Sequence, residues 1–199
     1  KNGNTPLFDT LQTHASKDAR IGNLKIENFG INYGSIGSIN VGILASNLNS
    51  SASGKRIEIH DIKINNTSHI TVNDTGGWSG GVGALIGKVN FSSGPPVSGS
   101  YAFIRNISSH ANVSVTTDTA SPGMVGGLVG DVFGSSVAGT GVSFELNEVG
   151  YDDINDNFDT YRVSLSSISP SGDTRVGGLV GKAKYLDINI ISNNNIGAK

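Results

Sequence analysis

The sequence predicts an all-β chain, a right-handed parallel β-solenoid of about five rungs with three short strands per rung. Three observations predict it. The 199 residues include 28 Gly, 26 Ser and 21 Asn but only one Met and four Glu, so strong helix formers are scarce. Apolar residues alternate over short runs instead of recurring every three or four positions. A Gly-rich segment recurs along the chain, and recurrence at a period of some tens of residues is the mark of a stacked architecture.

The Gly-rich copies are Val41-Gly-Ile-Leu-Ala-Ser46, Val82-Gly-Ala-Leu-Ile-Gly87, Val125-Gly-Gly-Leu-Val-Gly130 and Val176-Gly-Gly-Leu-Val-Gly181, spaced by 41, 43 and 51 residues. Pro6-Leu7-Phe8-Asp9 stands where an earlier copy would fall. Upstream of each copy lies a second element: Asn23-Leu-Lys-Ile26, Asp61-Ile-Lys-Ile64, Asn106-Ile-Ser-Ser109, a degenerate Glu148-Val-Gly-Tyr151, and a fifth start at Asp187-Ile-Asn-Ile190. Between the two comes a third alternating run, Ile70-Thr-Val72 or Val113-Ser-Val115. Each reads as a half-buried strand. Gly inside a strand weakens it, so four Gly-rich strands in register imply close approach of a neighbouring backbone or of a bulky side chain.

A unit of about 40 residues with three small strands cannot bury its own apolar face and is stable only when stacked on its neighbours. A propeller blade has a similar period, but it needs four antiparallel strands and tight hairpins, which the sequence lacks. One domain is expected over residues 1–199, a piece of a longer chain because Lys1 is no natural start. Residues 1–20 form its first rung or cap, 21–187 four repeats, and 188–199 the start of a further rung. Length varies mainly between a Gly-rich strand and the next repeat, with an insertion near Asp152–Tyr161. Loops leaving one corner of a stack form a lateral surface suited to recognition.

Composition also excludes functions. The net charge is -2 with Lys and Arg scattered, which supplies no basic face for nucleic acid or an anionic membrane. No apolar stretch approaches the ~18 residues of a membrane span. The absence of cysteine removes disulfides, thiol nucleophiles and Cys-based zinc sites.

Val125–Gly130 and Val176–Gly181 resemble the GLUG motif, a repeat of large bacterial surface proteins that include adhesin-like chains and the non-catalytic N-terminal regions of metallopeptidases that cleave immunoglobulin A. The resemblance extends from about Ile21 to Asp187, with weaker copies at Val41 and Val82. It implies an extracellular β-solenoid on a bacterial surface, non-enzymatic, meeting a host glycan or surface protein through its corner loops. A monomer is expected for such a piece.

Candidate chemistry is sparse, and no catalytic, cofactor or metal residue is assigned. The histidines His14, His60, His69 and His110 include no pair four residues apart of the kind that holds a catalytic zinc on a helix. The polar column Asn23, Asp61, Asn106, Glu148 and Asp187 admits two readings. Stacked about 4.8 Å apart, Glu148 with Asp187, or Asp61 with Glu148, come near the spacing of glycosidase carboxylates. Alternatively the column is a corner, since Asn and Asp tolerate left-handed backbone and hydrogen-bond their own turn. The break in alternation between Ile57, Ile59 and Ile62, Ile64 favours the corner. Asp153, Asn155, Asn157 and Asp159 alternate like calcium ligands but lack the glycine and the distal Glu of a Ca²⁺ loop. Trp78, the single tryptophan, lies in a Gly-rich loop, either as a contact for a sugar or protein or as a lid over its own rung. The sequons at Asn73 and Asn106 are what this composition produces by chance. A carbohydrate-active enzyme and a purely mechanical stalk are the competing expectations.

Overall fold

The computed structural model describes residues 5–14, 16–34, 37–49, 55–74, 79–90, 101–117, 123–133, 141–145, 163–167, 175–184 and 186–189. All regular structure among them is β. Strand β1 (Phe8–Gln12) comes first, followed by four sets of four. The first set is β2 (Ala19–Ile26), β3 (Gly30–Tyr33), β4 (Val41–Gly42) and β5 (Ala45–Asn49). The second is β6 (Arg56–Ile64), β7 (His69–Asp74), β8 (Gly81–Gly83) and β9 (Ile86–Asn90). The third is β10 (Tyr101–Ser109), β11 (Asn112–Thr117), β12 (Met124–Gly126) and β13 (Val129–Phe133). The fourth is β14 (Gly141–Glu145), β15 (Val163–Ser167), β16 (Arg175–Gly177) and β17 (Val180–Lys184), and β18 (Leu186–Asn189) follows.

Each repeat contributes one strand to each of four sheets, and every sheet is parallel. Sheet I runs β2-β6-β10-β14-β18, sheet II β3-β7-β11-β15, sheet III β4-β8-β12-β16 and sheet IV β1-β5-β9-β13-β17. This order is compatible with a stacked coil. Register is kept from repeat to repeat: Ile31, Ile70, Val113 and Val163 align in sheet II, and Leu48, Val89 and Val132 in sheet IV. The Pro6–Asp9 segment does fall at a Gly-rich position, for Phe8 pairs with Ala45 and Leu7 N–H donates to Ile43 O at 3.0 Å.

The core is built from these aligned columns. Ile59, Ile64, Ile70, Val72, Val82, Leu85 and Val89 are fully buried, and Ile104, Ile107 and Val115 are at most 1% exposed. Burial of each such side chain contributes roughly 1.5–3 kcal/mol before entropy is counted. β-Branched residues dominate because they fit the pleated surface of parallel strands.

One expectation is corrected. Each repeat has four strands, not three, because the Gly-rich segment is two short strands joined by a two-residue bend: Ile43-Leu44, Ala84-Leu85, Gly127-Leu128 or Gly178-Leu179. A straight Val125–Gly130 strand would place Leu128 on the face opposite Val125 and Val129. The bend turns all three inward, at 0–3% exposure. Its backbone is satisfied by the next repeat: Leu44 N–H donates to Leu85 O at 3.0 Å, Leu85 N–H to Leu128 O at 2.9 Å and Leu128 N–H to Leu179 O at 2.9 Å.

The Gly requirement follows from that bend. A Cβ built on Gly83 would lie 2.5 Å from Ile86 O, 2.6 Å from Leu128 O and 2.7 Å from Gly130 N. The close neighbour is backbone, from the same bend and from the next repeat.

Candidate functional site

Sheet I carries the polar column proposed from sequence, and the structure decides its membership. Leu24 pairs with Ile62 and Ile62 with Ile107, so Asn23, Asp61 and Asn106 occupy equivalent positions in β2, β6 and β10. All three have left-handed backbone, with φ of 56°, 52° and 50°. The conformation reverses the face on which the following residue stands, so Ile57, Ile59, Ile62 and Ile64 can all point inward, at 2% exposure or less. Asn106 Nδ2 donates to Asp61 Oδ1, a side-chain bond running from one repeat to the next. This is the corner reading.

Asp187 does not belong to the column. It pairs with Ser143, and the register carries that position through Phe103 and Glu58 to Arg20, three residues upstream of Asn106, Asp61 and Asn23. Asp187-Ile-Asn-Ile190 reads like Asp61-Ile-Lys-Ile64, whereas strand pairing sets the register through Ile188, Phe144 and Ile104. The strand of the fourth repeat in this sheet is Gly141–Glu145, not the segment beginning at Glu148. Asp187 thus stands outside the column of Asn23, Asp61 and Asn106 in which the sequence sets it beside Glu148. Glu148, the Asp153–Asp159 run and Trp78 lie outside the described residues.

Around Asp61 the outer face of sheet I is charged and internally paired. His60 Nδ1 lies 2.6 Å from Asp61 Oδ2. The bond from His60, then the bond from Asn106, with the nearby His60 and Arg105 charges, holds the Asp61 carboxyl below its ordinary range. The His60 ring lies over Gly22, its register partner, where a Cβ would come 2.6 Å from Nε2 and 2.7 Å from Nδ1. Glu58 stands between two arginines: Arg20 Nε is 3.3 Å from its Oε2, and Arg105 Nη2 donates to its Oε1. Arg56 sits over the Phe103 ring, 5.9 Å from the centroid, and its backbone N–H donates to Asp18 Oδ1 at 2.9 Å.

The sequence reading missed this Arg–Glu–Arg arrangement. A signal existed: extending the repeat alignment upstream sets Arg20-Ile21, Glu58-Ile59 and Phe103-Ile104 one above another.

The other histidines are dispersed. The His69 ring covers Gly30 on sheet II, where a Cβ would come 2.7 Å from its Cε1, and His14 forms an isolated bridge with Lys17. His110 N–H donates to Ile64 O at 2.8 Å. Among the described residues no three His, Asp or Glu side chains gather as metal ligands. On sheet IV, Asn47, Lys88, Asp131 and Lys182 align, and Lys88 Nζ is 3.4 Å from Oδ2 of Asp131, which is only 8% exposed.

The outer face of sheet II differs. Its positions in β7 and β11 are His69, Thr71, Asn73, Asn112, Ser114 and Thr116, alternating with buried Ile70, Val72, Val113 and Val115. The turn leading into it is held by side chains of the following repeat. Thr67 Oγ1 accepts from Asn28 N–H at 3.0 Å and Ser68 Oγ from Phe29 N–H at 3.3 Å, with Asn28 at φ 53°.

Compared with known proteins, the chain matches no family model, no curated sequence and no solved structure. The reading of its function therefore rests on geometry and on the resemblance of the Gly-rich segments.

Proposed function

We propose that the chain is a non-catalytic display module: a right-handed β-solenoid of about five rungs whose sheets form its walls. On this reading it belongs to an exported bacterial surface protein of the GLUG-repeat kind and binds a host glycan or surface protein. The observation that carries the reading is the unbroken register. Four sheets receive one strand from each repeat, so side chains from distant segments stand in straight columns on the outside. Such columns offer a repeating surface, which suits recognition of a repeating or extended partner.

The charged groups support binding in preference to chemistry. Glu58 is engaged by Arg20 and Arg105, and Asp61 by His60 and Asn106, so each carboxylate serves the wall that holds it. The connections from sheet IV to the next strand of sheet I, residues 50–55, 91–100 and 134–140, differ in length and in sequence.

The test is a screen of the purified chain on glycan and host-protein arrays. A reproducible ligand whose retention is reduced by exchanging residues 91–100 for a Gly-Ser segment, or by substitutions on one outer wall, supports the reading. Absence of any ligand leaves a mechanical spacer instead.

A further inference from the structure

We propose that the outer face of sheet II is a docking surface for a neutral, unbranched polysaccharide laid across the strands. The proposal rests on the display-module reading above and names the chemistry of its partner.

Alternation and burial define the face. Ile70, Val72 and Val113 are fully buried and Val115 is 1% exposed, so Thr71, Asn73, Ser114 and Thr116 stand on the opposite side of β7 and β11. Register arranges these positions in two columns. Asn32, Thr71 and Ser114 align in one; Asn73 and Thr116 align in the other. Every member is an amide or a hydroxyl, able both to donate and to accept, and none is charged. His69 is the one titratable residue among the described outer positions of β3, β7 and β11.

The spacing and chemistry select the partner. Successive strands are about 4.8 Å apart, and alternate residues along a strand about 6.6 Å apart. One sugar of an extended β-linked chain advances by about one strand step, so each strand meets one ring. The hydroxyls of that ring pair with side chains of either polarity. Small Thr, Ser and Asn side chains let a flat chain approach closely. A carboxylated or sulfated chain finds no Arg or Lys among the described positions of this face. It would be drawn to sheet I, where Arg20 and Arg105 are already tied to Glu58.

The experiment is calorimetric titration of the chain with cellohexaose and with chitohexaose, polygalacturonate serving as the charged counterpart. A neutral hexasaccharide is expected to bind. Thr71→Val, which keeps shape and strand propensity, and Ser114→Ala, which removes only the hydroxyl, should each weaken it by about fivefold, the loss of one hydrogen bond of ~1 kcal/mol. The double variant should lose ~20-fold or more if the two effects add. Lys25→Ala, on sheet I, should leave affinity unchanged. The proposal is overturned if neither hexasaccharide binds, or if the double variant binds as the parent does with an unchanged melting temperature. Polygalacturonate binding lost in Arg105→Gln would equally overturn it by moving the site to sheet I. If another ligand then emerges from the arrays, only this assignment falls; if none does, the display reading falls with it.

Discussion

The Gly-rich corner and the Asn/Asp corner both redirect the chain once per repeat, but different forces hold them. At the Gly-rich corner the backbones of sheets III and IV approach so closely that a methyl group has no room, and the bend is closed by repeat-to-repeat backbone hydrogen bonds. At the Asn/Asp corner there is room for a side chain, and the side chain is used: it tolerates left-handed backbone and bonds to the adjacent repeat. One corner is steric and silent to solvent. The other is polar, exposed and sensitive to pH. Repeats can therefore vary the second more freely than the first.

The largest expected effect tests the steric corner. Gly83→Ala should destabilise by about 3 kcal/mol or prevent folding, because three backbone atoms would have to move and overpacked interiors rarely yield that much. Gly178→Ala, in the bend of the fourth repeat with nothing within 4 Å of its Cβ, should stay within about 0.5 kcal/mol. Equal urea midpoints for the two variants would remove the steric account.

The polar corner should respond less. Asp61→Ala places a residue without a side-chain oxygen at φ 52° and removes bonds to His60 and Asn106; a lower midpoint in urea unfolding is expected, by less than for Gly83→Ala. Asp61→Asn should cost less, since Asn23 and Asn106 hold the same conformation.

The same pair sharpens the contrast by pH. The folded-state pKa of Asp61 is lowered, so the unfolded chain binds its proton more readily. Its contribution is present above the ordinary carboxylate pKa and is lost as pH falls through the lowered value. Melting temperatures between pH 7 and pH 2.5 should fall more steeply for the parent than for Asp61→Asn. Parallel curves would show that Asp61 ionisation contributes nothing.

Last comes Gly22→Ala. The three atoms nearest its Cβ all belong to the His60 ring, a side chain that can swing away at the cost of the bond to Asp61. A urea midpoint slightly below the parent's is expected. Loss of the Asp61-linked acid slope in this variant would tie the two residues together.

Much of the architecture was legible. Copies of Val-Gly-x-Leu located sheets III and IV, an Asn or Asp followed by Leu or Ile at 23, 61 and 106 located the left-handed corner, and Phe8 fell in register with Ala45 as an earlier copy should. Two things were not. The fourth strand per repeat was hidden because a two-residue bend leaves no punctuation when its residues, such as Ala84 and Leu85, are as apolar as the strands around them. The place of Asp187 was misread because Asp-Ile-x-Ile occurs both at the corner and upstream of it, and only pairing of Phe144 with Ile188 distinguishes them.

The hexapeptide Val-Gly-Gly-Leu-Val-Gly occurs twice and states the division most clearly. By itself it determined a paired parallel arrangement, with Val125 opposite Val176, since the pattern leaves few other ways to bury its apolar residues. Tertiary structure alone decided what each copy experiences: Val125 is fully buried and Val176 is 51% exposed. Position in the sheet does not decide it, since β4 and β16 both end sheet III and yet Val41 in β4 is fully buried. Identical local chemistry became core in one repeat and surface in the other because burial belongs to the stack of neighbours, not to the segment.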